Sequence, residues 1–331
     1  MWASLLIGRV LRLALLVAAV AAIAFSLAKL SPIDPIDAYL GVNIGKVGDE
    51  HRALIAQKWG VDQPLLVQFG KWAGNILRGD LGWSFTQNAP VADVVWKGFL
   101  VSLPLMAGAW LLSGILGFSL GVIAAIHEEG WIDRIIRIYS YVLASAPTFW
   151  LAILLLIVFS VTLQVTPVCC SGPMGVLPED VTLLQRLHHM ILPLVALSIL
   201  GISQIALHTR AKMVDIMRSD YVLYAMAQGA SRSEAAWRHG ARNAALPAVT
   251  VLFASLGELF GGSVLAEQVF AYPGLGRTTV QAGINGDVPL LLAITIFMTL
   301  FISIGNTIAD LLYHFVDPRM KLPGTDREAL P

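Results

Sequence analysis

Apolar stretches at roughly Leu5–Leu30, Leu100–Ile126, Ile135–Leu163, Met190–Leu207, Ala244–Phe270 and Pro289–Phe315 alternate with polar connections along the chain. Each is as long as the roughly 20 mostly apolar residues that a helix needs to cross the hydrocarbon core of a bilayer. Lipid offers no partner for backbone N–H and C=O groups, so such segments are expected to be helical. The pattern predicts an all-α polytopic membrane protein with about six transmembrane helices. It also predicts a long outer insertion after the first helix and a helical loop on the cytoplasmic side between the fourth and fifth. The boundaries read as an anchor over 1–30, an extracytoplasmic insertion over 31–99, a membrane core over 100–318 containing the loop 210–247, and a tail over 319–331.

The first span carries Arg9 and Arg12 ahead of an Ala/Val/Leu run, and Ser26-Leu27-Ala28 resembles a signal-peptidase site. Its apolar core exceeds the roughly 7–15 residues of a signal sequence, which favours a retained anchor. Lysine and arginine in short loops stay on the cytoplasmic side. The connection between spans four and five holds Arg210, Lys212, Arg218, Arg232, Arg238 and Arg242, against Arg186 and Arg277 in the short loops opposite. Both termini are therefore expected in the cytoplasm, in agreement with Arg134 and Arg137 after the second span and Arg319, Lys321 and Arg327 after the sixth.

In the outer insertion, Pro32 and Pro35 break the exit from span one, Asp49–Trp59 has a helical mixture of polar and apolar residues, and Gly60–Pro64 reads as a turn. Leu65–Leu77 has apolar residues at helical spacing, with Phe69 and Trp72 suited to the headgroup zone. The polar stretch Asp220–Pro247 reads as helix, turn, helix. Ser219 and Asp220 are placed to cap Tyr221–Gln228, Gly229 suits a left-handed stop, and Ser231 with Glu234 has the spacing of a capping box. Pro247 marks the return to the membrane.

Composition agrees with the pattern. Hydrophobic residues make up 56% and charged residues 13% of 331 residues, with a mean hydropathy of +0.72, far from the make-up of a soluble domain. The net charge of +0 points to no nucleic-acid partner.

The polar loop resembles that of the membrane permease subunits of binding-protein-dependent ABC importers, which carry Glu-Ala-Ala, three residues, Gly, then Leu-Pro. Here the pattern falls on Leu223-Tyr224-Ala225, Gly229 and Leu246-Pro247, without the glutamate and first alanine. That departure is usual in the dipeptide, oligopeptide and nickel branch. The resemblance to this branch extends through Gly60–Trp72, Gly79–Phe85, Arg238–Pro247, Phe270–Arg277 and Asp317-Pro318-Arg319. It implies a bacterial inner-membrane permease that pairs with a second, different permease subunit and two cytoplasmic ATPases. An outer solute-binding protein would deliver the cargo. Tyr221, Leu223, Tyr224, Ala225, Gly229, Ala230 and Ser231 would form the ATPase-coupling loop. The chain lacks a Gly-x-x-x-x-Gly-Lys-Ser/Thr phosphate cradle, so ATP and magnesium are expected on the partner ATPases and no cofactor on this chain.

Glu258 and Glu267 lie in or near span five, and an ionisable group inside a bilayer is costly enough to invite a functional reading. Glu258 and Asn306 are candidates to line the translocation path, with hydrogen bonding to a neighbouring helix as the structural alternative for Glu258. Glu267 is expected near the outer interface, and Asp310 near the opposite headgroups. Gly257–Gly262 resembles the nickel-type permeases, tilting the cargo slightly from peptides towards nickel or a metal chelate. Cys169, Cys170, His188 and His189 share one outer loop and are soft-metal ligand types, but their spacing fits no zinc template. Gly274-Leu275-Gly276-Arg277 reads as a tight turn, followed by an irregular stretch through Gly283, Gly286 and Pro289. A secondary transporter or channel is the alternative; an intramembrane hydrolase would need a Gly-x-Ser-x-Gly elbow or His-Glu-x-x-His pair, and neither is present.

Overall fold

The computed structural model describes residues 2–30, 48, 63–177 and 179–316, without the side chains of 2–6 and 309–316. Pro32, Pro35, Asp49–Trp59, the Asp310 side chain and Asp317-Pro318-Arg319 with the tail lie outside the described residues. The helices are α1 (Trp2–Leu30), α2 (Leu65–Leu77), α3 (Val91–Ile126), α4 (Trp131–Ser145), α5 (Thr148–Thr162), α6 (Leu183–Met217), α7 (Asp220–Ala227), α8 (Arg232–Ala254), α9 (Leu256–Val269), α10 (Leu275–Ile284) and α11 (Val288–Val316). A two-residue hairpin pairs β1 (Trp83–Ser84) with β2 (Ala89–Pro90) ahead of α3.

The protein is an all-α polytopic membrane protein. Ile7–Leu30, Val91–Ile126, Leu183–Met217 and Val288–Ile308 are each long and apolar enough to cross a bilayer. The third and fifth expected spans are not straight. α4 and α5 meet at 106° and α8 and α9 at 51°, so six crossings result if each bent pair is one span. Pro147 explains the first bend: Ala146 is extended, as the residue before a proline tends to be, and α5 starts on Pro147 as its cap. α3 begins at Val91, ahead of the expected Leu100, and α6 extends past both ends of Met190–Leu207. The expected loop 210–247 therefore starts inside one helix and ends inside another.

The chain divides into two compact units, one of Met1–Pro104, Cys169–Gly175 and Ser263–Ser303, the other of Leu105–Val168, Val176–Gly262 and Ile304–Pro331. In the first, Phe69 and Trp72 of α2 lie 5.4 Å from the Phe25 ring of α1, so these aromatics pack on a helix. Phe99 meets Phe297 and Phe301 of α11 edge to face.

In the second unit, α3 and α6 approach closely through Gly117 and Gly121. A Cβ at these positions would stand 2.9 Å from the Ile202 carbonyl and 2.7 Å from that of Ala206. Small residues four apart let helix backbones approach, which is how membrane helices gain packing without a hydrophobic drive between them.

Candidate coupling surface and translocation pocket

The α6–α8 connection is built on a buried cluster. Val222 of α7 is fully buried among Val122 and Ala125 of α3, Met213, Ile216 and Met217 of α6, and Ala235, Ala236 and Ala244 of α8, with Met226 and Ala230 packed alongside. Residues 221, 223 and 224 flank that anchor and point away from it. Tyr224 is 65% exposed and Leu223 47%, a concentration of apolar surface on a short helix between charged neighbours. The Tyr221 hydroxyl accepts from Asn243 Nδ2 of α8 at 2.7 Å, and the Tyr224 hydroxyl from Gln228 Nε2 at 2.7 Å. Ala225 is half-buried.

Gly229 ends α7 with φ +99, a backbone conformation that side-chain-bearing residues rarely adopt, and open space surrounds its Cα. Ser231 caps α8 by accepting from Glu234 N at 3.2 Å. The capping box is one-sided, because the Glu234 carboxylate accepts from Arg238 one turn on at 3.2 Å. Ser219 occupies the N-cap position of α7 with an extended backbone but makes no side-chain cap bond; its hydroxyl donates back to the Ile216 carbonyl at 2.5 Å. Over Ala235–Gly240, α8 widens into a π-helical segment, a form often found at functional sites.

A second feature lies around the α8–α9 bend. Trp110, Ser113, Thr148, Leu197, Leu200, Gly201, Gln204, Ser255, Glu258, Leu259 and Gly262 line an open recess. Glu258 is in the first turn of α9, and its Oε2 accepts from Gln204 Nε2 of α6 at 3.2 Å. The carboxylate is exposed. Asn306 is also exposed and is not among the lining residues.

Residues 117–322 match the family described as the inner membrane component of binding-protein-dependent transport systems. The chain belongs to that family. It is also 32% identical over 277 residues to the oligopeptide transport system permease protein AppB of Bacillus subtilis, covering 83% of this chain and 87% of that one. It is 34% identical over 268 residues to the glutathione transport system permease protein GsiC of Escherichia coli, covering 81% and 83% respectively.

As a permease of this family, the chain carries several fixed carboxylates whose partners are distant in sequence. Glu267 is fully buried: Oε1 accepts from Ser102 Oγ at 2.5 Å and Oε2 from Arg277 N at 3.0 Å, while Ser102 Oγ accepts from Leu275 N at 2.8 Å. The N-terminus of α10 is thus filled by the protein's own carboxylate. Gly274 and Gly276 are needed there, because a Cβ at 274 would collide with that carboxylate and with Ser102, and one at 276 would stand 2.6 Å from Val264 Cα. The Phe270–Arg277 motif is a carboxylate-pinned turn into a helix. Gly283 lies within α10 and Pro289 in the first turn of α11, so the stretch expected to be irregular is largely helical.

Sequence reasoning passed over three residues. Asp287, fully buried at the start of α11, accepts from Ser84 Oγ at 2.7 Å, Thr86 Oγ1 at 2.7 Å and Thr86 N at 3.1 Å, holding the hairpin of the Gly79–Phe85 motif. Asp133, also fully buried, takes a two-pronged bond from Arg210 through Nε and through Nη2, the latter at 2.6 Å, with Arg137 3.4 Å away. Arg210, counted at first as a loop charge, is therefore a clamp between α4 and α6. A carboxylate within polar spacing of an arginine-rich loop was the available signal for Asp133. Ser102, an isolated hydroxyl in an apolar span, offered none.

Cys169 and Cys170 are joined to each other in a disulfide, and Cys170 N donates to the Phe270 carbonyl at 2.9 Å. His188 and His189 have ring centroids 6.3 Å apart, with His188 Nε2 3.2 Å from the Val165 carbonyl. Among the described residues no three His, Cys, Asp or Glu side chains gather in a way that could hold a metal ion.

Proposed function

We propose that this chain is one of two different permease subunits of an ABC importer for peptides. Cargo arrives from an extracytoplasmic solute-binding protein, and two cytoplasmic ATPases that bind ATP and magnesium dock on the α6–α8 connection. The observation that carries this reading is the seating of α7. Val222 and its buried neighbours fix the helix to α3, α6 and α8, while Leu223 and Tyr224 remain uncovered. An apolar surface on a rigid support suits a docking partner whose movement must reach the membrane helices. In this reading both termini and the loop lie in the cytoplasm, as the arginines of the connection favour. Tyr221, Leu223, Tyr224 and Ala225 meet the ATPase, while Gly229, Ala230 and Ser231 set the turn beneath them.

Glu258 and Asn306 line the path of the cargo. The peptide reading rests on the names of the relatives, an oligopeptide and a glutathione permease. The tilt towards nickel has no counterpart among them.

A photo-crosslinking amino acid at Tyr224, used in cells expressing the complete transporter, tests the docking. An adduct with a nucleotide-hydrolysing subunit is expected; adducts only with lipid or another permease would refute it. Uptake of labelled peptides, lost when the gene is deleted and restored by its return, tests the cargo.

A further inference from the structure

We infer that the recess around Glu258 is a binding station for a protonated primary amine, such as the free N-terminus of a peptide in transit. The inference rests on the permease reading for its cargo, but the chemistry is that of the recess itself.

Glu258 lies just past the bend of the apolar α8–α9 pair, and it is exposed. A charge there cannot face hydrocarbon cheaply, so the recess must open to water or to a polar partner. Two features support a carboxylate at this position. Gln204 donates to Oε2, and the carboxylate sits in the first turn of α9, where unpaired backbone N–H groups give a partial positive charge. Among the described residues no lysine, arginine or histidine pairs with it. One neutral amide therefore satisfies a group that has about four acceptor sites.

Three other polar side chains of the lining already use their donors. Trp110 Nε1 donates to the Leu252 carbonyl at 2.8 Å, Ser255 Oγ to the same carbonyl at 2.9 Å, and Ser113 Oγ to the Ser198 carbonyl at 3.0 Å. What they leave for a ligand is mainly hydroxyl lone pairs and the Glu258 carboxylate. An ammonium group has three donors and no acceptor, matching that surplus, whereas a carboxylate or amide carbonyl would find few donors. Leu197, Leu200 and Leu259 keep the site apolar enough to strengthen the attraction. Glu258 is thus a specificity-determining residue for cargo that carries a free amine.

The test uses a reporter in the assembled transporter. Ser255→Cys adds a thiol to the recess, while Cys169 and Cys170 are held as a disulfide. Its modification by a trimethylammonium methanethiosulfonate is expected to outpace that by the sulfonate analogue, with a ratio on the order of tenfold or more above the ratio for a free thiol. Protonated benzylamine should slow modification and benzyl alcohol should not. Adding Glu258→Gln should remove both differences. An unreactive thiol, equal rates for the two reagents, equal protection, or differences that survive Glu258→Gln would each overturn the inference. Import of free and N-acetylated peptide mixtures into proteoliposomes separates the two readings. Cation preference at the thiol with no peptide import in either form would sink the peptide reading alone, and import without cation preference would sink the amine station alone.

Discussion

At Gly229 the question is which property of glycine matters. Open space around its Cα removes steric crowding, which leaves the positive φ. Forcing a β-branched residue into that conformation costs on the order of 1–3 kcal/mol. Gly229→Val is therefore expected to distort the turn beneath α7 while leaving the protein in the membrane, and substrate-stimulated ATP hydrolysis by the purified complex should fall. Unchanged stimulation would show that the turn does not carry coupling. Glu267 poses the opposite case, a side chain whose value lies in what it satisfies. Glu267→Ala abandons Ser102 and the amide of Arg277 in a buried site and is expected to cost about 2–4 kcal/mol. Glu267→Gln keeps an acceptor and should cost less. Thermal midpoints in detergent for the two variants check that order.

At the scale of elements, α4 and α6 are held by a buried ion pair where apolar packing would suffice for membrane helices. Removing one partner of such a pair leaves a stranded charge and typically costs about 3–5 kcal/mol. Asp133→Ala should lower the thermal midpoint sharply, and adding Arg210→Ala should restore part of the loss, since the pair acts as a unit. A double variant no more stable than Asp133→Ala alone would argue against the clamp. The exposed pair of Arg218 with Glu128, by contrast, is worth little. Elements also mark what was legible in the sequence. Long apolar runs announced the spans because their period and length are local properties, and Leu65–Leu77 was found with its ends in place. Gly229 and Ser231 were legible for the same reason. Pro147 could have announced the bend after α4, but the apolar run around it hid the break. No local signal marks Ser255. Glu267 and Asp287 acquire their roles from partners 165 and 203 positions away, beyond the reach of any local pattern.

For the whole molecule, family membership settles the class of machine; on the proposed reading, the exposed face of α7 and the Glu258 recess would divide its tasks between two ends of one unit. α6 serves both. Gln204 reaches the recess, Arg210 clamps α4, and Met213, Ile216 and Met217 form the floor under α7. From Gln204 to Met217 this helix contains neither proline nor glycine, so nothing along it yields. At about 1.5 Å per residue, these stations lie along a single rigid shaft of roughly 20 Å. On the proposed coupling, a push received at one end would reach the other as twist or thrust. One added alanine between His208 and Thr209 would put the two ends about 100° out of phase. A transporter so altered would still bind its engine and still face its cargo, yet the stroke of one would no longer arrive in time with the opening of the other.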